Sequence, residues 1–274
     1  MNRQKSIIRI LTDRSFKANR TRNVVAVCAV VLTTLMFTTL FVLSQSMIKN
    51  MQVMNFQQSG FNSHLSSSLL TDSEIEKIIS HEAIRDYGKT IVVGIAENKE
   101  LAGRQIEMRY ADENYAASAF SLPTVGAMPQ RAEEIALDTI TLDKMGLPHQ
   151  LGQKISLTWR EDLSAAEYTT STFTLVGYWE GNSAAMASMA WVAEPFVQKV
   201  CAGLDQEQQR RNGQICGLAQ LHVNLYDAGD LEGAARQLLA EVGVTEAAFT
   251  PNMAYDTAMN HNIAREVIPM LVCM

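Results

Sequence analysis

The chain has 274 residues, with 23 Lys and Arg against 29 Asp and Glu, and a formal net charge of −6 at pH 7. This acidic balance argues against a nucleic-acid-binding protein, because neutralising phosphates requires a basic surface. A simple soluble protein is also excluded, since residues 1–22 hold seven basic and one acidic side chain, residues 45–265 hold 16 basic and 27 acidic ones, and residues 24–43 hold none.

Residues 1–22 form a basic arm. Its apolar residues stand among the basic ones with rough helical spacing, and they are Ile7, Ile8, Leu11, Phe16 and Ala18. This pattern indicates either an amphipathic helix lying in the lipid headgroup layer or a solvated segment that only directs topology.

Residues 23–44 are predicted to form a transmembrane helix. The twenty uncharged positions 24–43 would span roughly 30 Å as a helix, which matches the hydrocarbon thickness of a bilayer. A cleaved signal peptide is the alternative, but its apolar core is typically about 7–15 residues long. A retained anchor is therefore favoured.

Four threonines interrupt this segment, at positions 33, 34, 38 and 39. Their hydroxyls can bond to carbonyls one turn earlier at little cost in lipid, or they can mark a face that packs on another helix. The basic flank before the helix places the N-terminus in the cytoplasm and everything from Gln45 onward outside the cell.

Residues 45–265 are predicted to form a folded extracytoplasmic domain. Met47, Ile48, Met51 and Met54 keep helical spacing and predict a stalk that continues the first span. A Ser-rich passage at 59–68 interrupts the periodicity. The sequence at 71–74, Thr-Asp-Ser-Glu, then has the capping-box pattern that starts a helix.

Period-two patterns predict most of the later elements as strands. Strands are expected over 90–97, 105–110, 154–159 and 172–179, with a short strand at 134–138 that leads into a helix ending at Gly146, and another strand at 189–193 after a small-residue loop at 181–188. A strand–helix–strand unit is expected over 218–226, 231–242 and 244–249, followed by a helix after Pro251. The fold class is therefore a mixed α+β domain with two lobes.

Residues 267–274 are again uncharged. Eight residues cannot span a bilayer, so this segment is either a buried C-terminal strand or tail, or, together with residue 266, the start of a second transmembrane helix, over 266–274.

Five short motifs occur in order in the middle of the domain. They are Pro129, 133–137 (EEIAL), 142–146 (LDKMG), 151–157 (LGQKISL) and 173–178 (FTLVGY). Gly146 suits a left-handed helix cap, Gly152 a turn before a strand, and Gly177 a close backbone approach within a strand. Together with the basic arm and the span before them, the motifs resemble the FtsX-like and MacB-like ABC transporter permeases over about residues 5–270.

The resemblance implies a MacB-like extracytoplasmic core domain after the first transmembrane helix, and further helices after that domain. It favours the reading of 266–274 as a second helix cut short. It also implies a non-catalytic permease subunit that contacts membrane lipid and pairs with itself or with a second permease. ATP hydrolysis by a separate cytoplasmic ATPase would drive its conformational change, for export or extraction of amphipathic peptides, lipoproteins or drugs.

Three other functions stay open. An FtsX-type regulator of cell-wall hydrolases would share the architecture. A single-span surface binding or sensor protein would share the anchor and the acidic domain. A membrane-tethered hydrolase would need a nucleophile and a base, and no such arrangement is visible in the sequence.

No catalytic, cofactor-binding or metal-binding residue is predicted. Gly88-Lys89-Thr90 ends like a phosphate loop, but Ala83 stands where its first glycine belongs and a helix is expected before it. His81-Glu82 opens a zinc-protease pattern that Arg85 breaks. The other histidines are expected at the surface or partly buried, and the paired acids as solvated charges: His64, His149, His222, His261, Asp112-Glu113 and Glu133-Glu134.

Two of the four cysteines, Cys28 and Cys273, lie in or beside apolar segments, and Cys201 and Cys216 lie in the outer domain. The outer pair forms either a disulfide, which the exterior location permits, or two free thiols. A bond would close a loop of about 16 residues and stabilise the fold by roughly 3 kcal/mol. The segment between these cysteines resembles no part of the family.

Overall fold

The structure, a computed structural model, describes residues 18–255 except 102, 162, 164, 184, 186, 245 and 246. Most of the basic arm, His261, Cys273 and the predicted second transmembrane helix at 266–274 lie outside the described residues. The chain divides into two compact units, and the boundary between Gln52 and Val53 falls inside the first helix.

Helix α1, Arg20–Ser59, contains the predicted span and stalk in one 40-residue element. No residue of this helix is buried, and its large apolar side chains from Val24 to Leu43 are exposed, except that Leu40 is partly exposed. By length and composition, it is the one helix in the described part of the chain that could cross a membrane. The hydroxyls of the four threonines each donate to the carbonyl four residues earlier, at 2.7–2.8 Å, so they add no unpaired polar group to the apolar surface.

The second unit is mixed α+β, as predicted. Its helices are α2 (Asp72–Ile79), α3 (Glu113–Ser118), α4 (Thr139–Lys144), α5 (Glu194–Val200), α6 (Gln206–Arg211) and α7 (Leu231–Val242). Its strands are β1 (Leu65–Ser67), β2 (Ile84–Ala96), β3 (Gln105–Ala111), β4 (Val125–Gly126), β5 (Glu134–Asp138), β6 (Lys154–Arg160), β7 (Thr169–Trp179), β8 (Ala187–Val192), β9 (Ala219–Leu225) and β10 (Phe249–Pro251).

All ten strands belong to one sheet. Its order is β10-β1-β9-β2-β3-β8-β5-β7-β4, and β6 pairs with both β2 and β7. Hydrogen bonding through β6 therefore closes six strands into a ring, β2-β3-β8-β5-β7-β6. Parallel pairs occur where β3 meets β8 and where β5 meets β7.

Two hydrophobic cores follow from this topology. The larger core consists of buried residues of the ring, such as Met108, Leu137 and Phe173, together with Phe196 and Val197 of α5. The second core lies where α2 and α7 pack on β1 and β9. Strand β2 contributes residues to both cores. The division of this unit into two lobes stays a prediction.

A third cluster packs on the opposite face of the ring. It contains Tyr115 and Ala116 of α3 with Trp179 and Trp191. Ala136 belongs to this cluster, whereas its neighbours Ile135 and Leu137 belong to the ring core. This alternation is the expected result of a strand buried on both faces.

Local signals placed several boundaries correctly. Helix α2 begins with the predicted capping box, in which the Thr71 N–H donates to Glu74 at 2.8 Å. Gly146 and Gly152 have φ values of +66° and +86°, in the region that favours glycine.

The Ser-rich passage departs from the expectation of a simple interruption. Its residues 65–67 form β1, which pairs with β9 and β10, and Ser63, Ser66 and Ser67 are buried. Serine is tolerated there because its hydroxyl bonds to neighbouring strands: Ser67 Oγ accepts from the Leu221 N–H at 2.8 Å.

Other sequence-based boundaries were also wrong. A strand rather than a helix runs into Gly88, since β2 begins at Ile84. Of the strand expected at 244–249, Phe249 belongs to β10, which continues to Pro251. Val244 instead follows the left-handed Gly243 cap and packs its side chain into the second core. After Pro251 the described chain forms a 3-10 turn, Met253–Tyr255. Helices α3 and α6 were not predicted.

Gly177 provides a test of the ring. A Cβ atom there would overlap the Ala127 carbonyl oxygen and press on Pro123. We expect Gly177→Ala to destabilise the chain by about 1–3 kcal/mol, since overpacking forces the backbone to move. Urea unfolding of the detergent-solubilised chain measures this change. Gly229→Ala, where only the flexible Asp227 side chain is near, is the control, and equal unfolding midpoints for the two variants would show that the close approach is not a constraint.

Candidate functional site: a cleft between two cores

A cleft of about 920 Å³ lies in the second unit between α2 and α5. Tyr87, Lys89 and Ile91 of β2 line it. Because successive side chains of a strand point to opposite faces, these three share one face, and Ile91 packs against both the ring core and the second core. The cleft therefore marks the line where the two cores meet.

The walls of the cleft are apolar near β2. Ile75 and Ile79 of α2 are four residues apart and so lie on one helix face, and Val197 of α5 and Leu204 face them across the cleft lining. Ile75 is anchored in the second core and Val197 in the ring core. Ile79 and Leu204 remain partly exposed, so apolar surface is accessible inside the cleft.

The rim of the cleft is acidic. Five carboxylates and one ammonium group line it, from Asp72, Glu76, Glu194, Asp205, Glu207 and Lys89. The Lys89 ammonium pairs with Asp72 at 3.0 Å. Glu76 and Glu194 are exposed and form no ion pair with any residue that the structure describes. The rim therefore has an excess of negative charge.

Residues 201–217, which we call the strap, connect α5 to β9 and contribute to the cleft wall. Gln206 accepts a hydrogen bond from the Asp72 N–H at 2.8 Å and donates to the Asp72 carboxylate at 3.0 Å. Arg210 donates to both carboxylate oxygens of Glu74, at 2.8 and 2.9 Å. The segment that resembled no part of the family thus bonds to α2 through its side chains.

The Arg210–Glu74 contact remains ionic at neutral pH. Burial raises the pKa of Glu74, but hydrogen bonds from the Thr71 N–H and from the Arg210 guanidinium outweigh burial, so that the net pKa lies below its usual value. Both side chains are largely buried, which makes this charged contact stronger than a solvent-exposed ion pair.

The structure brings Ser118 and His222 together, a pair that the sequence did not reveal. Ser118 Oγ lies 2.5 Å from His222 Nδ1 and also donates to the Tyr115 carbonyl at 2.9 Å. A hydroxyl has one proton, so Nδ1 carries the hydrogen and donates to the serine. Burial, and then the positive charge of Arg109, lower the pKa of His222 to about 3. An imidazole in this state is a poor base for activating the serine.

The expectation that the histidines lie at the surface or are partly buried was wrong for two of them. His222 is buried and stacks between Phe61 and Tyr115. His64 is also buried, and its Nδ1 accepts the Leu225 N–H at 3.0 Å. Both rings fill space between strands while bonding polar groups. His149 is exposed, as expected, and lies 2.8 Å from Asp143.

Two acids that were predicted to be solvated instead accept hydrogen bonds from backbone N–H groups. Asp112 caps α3 by accepting the Tyr115 N–H at 2.7 Å and also accepts the Lys89 N–H at 2.8 Å, and burial raises the pKa of Asp112. Glu134 accepts the N–H groups of Gln130 and Arg131. Adjacent acids do not converge on one site, but each can cap a local turn.

The residues of the incomplete phosphate-loop and zinc-protease patterns have structural contacts. Gly88 lies inside β2, where a Cβ atom would overlap the Tyr115 backbone, so the glycine is needed for packing of α3. His81 pairs with Glu241 at 2.8 Å, and Arg85 pairs with Asp86 at 2.8 Å. Among the described residues, no group of three potential metal ligands is clustered.

No family model and no curated protein matches the chain. Among solved structures, it is similar to the periplasmic region of MacB from Actinobacillus actinomycetemcomitans, at 10% identity and a TM-score of 0.46, covering 73% of this chain and 94% of that one. It is similar to the extracellular domain of the noncanonic ABC-type transporter YknZ from Gram-positive bacteria, at 12% identity and a TM-score of 0.40, covering 66% of this chain and 89% of that one. A domain of a protein described as a permease, from Porphyromonas gingivalis, has 11% identity and a TM-score of 0.40, covering 70% of this chain and 92% of that one.

The buried state of His222 predicts a pH dependence. The unfolded chain gains a proton near pH 6.5, whereas the folded chain does so only near pH 3, so stability is full above 6.5 and falls as the pH drops. Because of His222, we expect the free energy of unfolding of the wild type to fall by about 2 kcal/mol between pH 7 and pH 5. The His222→Asn variant should not show this part of the decrease. Urea unfolding at the two pH values measures it, and a His222 NMR resonance that titrates near pH 6.5 would contradict it.

Cys201 and Cys216 lie at the two ends of the strap, with sulfur atoms 3.8 Å apart. Cys216 is buried and Cys201 is partly exposed. A hydrogen bond with the Cys216 thiol lowers the pKa of Cys201, against the opposing effect of burial, which favours the reactive thiolate. The predicted disulfide is thus compatible with the positions of the two thiols, and it stays a prediction.

An alkylation experiment tests the disulfide. Bond formation removes two protons and two electrons from the thiols, which molecular oxygen or a disulfide-exchanging oxidant outside the cell can accept. We expect protein from intact cells to be alkylated at Cys201 and Cys216 only after reduction, and reduction to lower the free energy of unfolding by roughly 3 kcal/mol. Alkylation of both residues without reductant in intact cells would show free thiols.

Proposed function

We propose that the chain is a permease subunit of an FtsX/MacB-type ABC transporter. The observation that carries the proposal is helix α1, whose exposed apolar part is long enough to span a bilayer and which continues as one helix to Ser59, inside the second unit. Such a helix can pass movement between the membrane and an outer domain, because a helix is rigid along its axis.

The resemblance in sequence supports the same assignment. Four of its motifs form β5, α4, β6 and β7, and residues of all four elements pack in the ring core. The motifs are therefore built into one folded body. Their glycines, Gly146, Gly152 and Gly177, stand at a cap, a turn and a close approach.

The proposal includes orientation and partners. The basic arm stays in the cytoplasm because Lys and Arg resist translocation, so the acidic domain faces the outside. A separate cytoplasmic ATPase hydrolyses ATP and drives the movement. The chain contacts membrane lipid through α1, acts as a dimer with itself or with a second permease, and serves export or extraction of an amphipathic molecule.

Labelling of single cysteines tests the orientation. In a chain whose four native cysteines are replaced by serine, we introduce either Asn2→Cys in the arm or Glu133→Cys, which is exposed in the outer domain. We expect a membrane-impermeant maleimide to label the Glu133→Cys chain on intact cells, and the Asn2→Cys chain only after lysis. The reverse pattern, or labelling of neither chain before lysis, would contradict the proposed topology.

Purification from native membranes tests the partner. We expect an ATPase with Mg²⁺-dependent activity to co-purify with the chain when it is extracted in mild detergent. The control is a variant with Val31→Lys and Leu35→Lys in α1. This variant should fail to enter the membrane and should co-purify with no such activity. A stable membrane preparation without bound ATPase activity would instead favour the single-span binding or sensor protein.

A further inference from the structure

A second cavity, of about 330 Å³, lies against α3 on the face of the ring that carries the third cluster. We call it the α3 cavity, and its lining includes Arg104, Phe120, Asp138, Trp179 and His222. It shares no lining residue with the cleft between α2 and α5. Its volume is near the lower end of the roughly 300–1,000 Å³ that is typical of ligand pockets, which suits a ligand with a single ring.

Two buried side chains of the α3 cavity each keep an acceptor atom without a partner in the described part of the chain. Asp138 and His222 are both only 4% exposed. Asp138 accepts the Thr141 N–H through Oδ1 at 2.6 Å, and its Oδ2 accepts nothing from the described residues. His222 donates through Nδ1 to Ser118, so its Nε2 presents a lone pair. Neither free atom is sealed from the cavity, and a buried acceptor without a donor is costly.

The charges of the lining balance. Burial and Arg109 hold the pKa of His222 at about 3, so its imidazole is neutral near pH 7. Arg104 donates to Ser188 Oγ at 2.7 Å and to two backbone carbonyls at 3.2 and 3.4 Å, and it forms no ion pair with a described residue. Two of its five N–H groups therefore remain as donors. Since Asp138 is the other charged residue of the lining, the cavity has no net charge.

Phe120 lies where the α3 cavity opens to solvent, because its side chain lines the cavity and is 37% exposed. Its φ of +54° is the one positive value found at a non-glycine residue in the described part of the chain. The Ser121 N–H donates to the Ala116 carbonyl at 2.9 Å across this turn, a position where glycine is usual. Backbone strain of this kind persists at ligand-binding positions, and here it keeps an aromatic ring beside the opening.

We propose that the α3 cavity binds a neutral six-membered sugar ring, a pyranose. Each sugar hydroxyl is both a donor and an acceptor, so one ring can donate to Asp138 Oδ2 and His222 Nε2 and accept from Arg104. The positively polarised C–H groups of a pyranose face can pack on the negative face of the Phe120 ring. A purely apolar ring would leave both buried acceptors without a donor.

The balance of charge decides between a neutral sugar and its charged relatives. A sugar carboxylate would gain from Arg104 but would face Asp138, and a sugar ammonium would gain from Asp138 but would face Arg104. The surrounding domain is also acidic, with 27 acidic and 16 basic side chains over residues 45–265, which disfavours an anion. The inference concerns the cavity alone and uses neither the membrane anchor nor the ATPase partner.

Saturation-transfer NMR with the full chain in nanodiscs of zwitterionic lipid tests the inference. The probes are glucose, galactose, mannose and N-acetylglucosamine, each as the free sugar and as its methyl glycoside. Empty nanodiscs report contact with lipid, and sugar-headed detergents are kept out because they would compete. We expect at least one probe to bind saturably and to change tryptophan fluorescence, since Trp179 lines the cavity. Binding of the free sugar supports a monosaccharide ligand, and binding of the glycoside alone supports the end of a longer glycan.

Variants at position 120 locate the site. Phe120→Asn removes the ring and introduces a residue that tolerates a positive φ. We expect its urea midpoint to stay nearly unchanged, because relief of strain offsets the lost apolar contact, while sugar binding weakens roughly three- to tenfold. Phe120→Tyr should keep the binding. Tyr226→Asn removes an exposed aromatic ring outside the cavity lining, and as the control it should change binding less than about twofold.

Arg104→Gln tests the balance of charge. We expect the wild type to prefer the neutral sugar over its amino and uronic-acid forms, which for glucose are glucosamine and glucuronate. The variant leaves the Asp138 charge uncompensated, so its preference should shift toward the amino form by roughly three- to tenfold. A purely structural role of Arg104 would weaken the binding of all three forms equally.

Each outcome bears on the cavity alone. Failure of every probe to bind saturably, or equal sugar binding by the wild type and Phe120→Asn, would overturn the inference. Tighter binding of glucuronate than of glucose by the wild type would show an anion site at Arg104 and would also overturn it. None of these measurements depends on bound ATPase activity. A failed sugar test therefore leaves the permease proposal standing, and a failed ATPase test leaves the α3 cavity.

Discussion

The second unit depends on a single long strand that serves two hydrophobic cores. Strand β2 pairs with β9 over residues 84–91 and with β3 over residues 90–96, and its register shifts near Val92 and Gly94. Such an irregularity bends a strand, which allows the first half of β2 to pack on the second core and its second half to join the closed ring. Removing or straightening β2 would therefore affect both cores together.

The cleft is a consequence of that arrangement. Helix α2 covers one core and α5 the other, and Tyr87, Lys89 and Ile91 of β2 line the cleft between these helices. The strap bridges this gap with polar contacts rather than with a third layer of apolar packing. The side chains of Ile79, Ile91 and Leu204 stay partly exposed in the cleft.

The two units place their apolar side chains in opposite ways. In α1 the apolar side chains point outward, and nothing in the described structure buries them. In the second unit the apolar side chains point inward, and acidic side chains give the surface its charge. The change occurs within α1 itself, whose last turns contribute Phe56 to an edge-to-face contact with Tyr255.

The sequence by itself determined the features that depend on neighbouring residues: the uncharged span, the capping box of α2, the glycine positions, the α7 boundaries and the mixed α+β class. Only the tertiary structure decided which features of distant segments meet. It closed the ring through β6, buried the serines of β1 and the ring of His222, and placed the unassigned strap beside α2. These outcomes depend on pairings between residues as far apart as Ser66 and His222, and no local periodicity specifies a partner at that distance, because burial is a property of the packed chain.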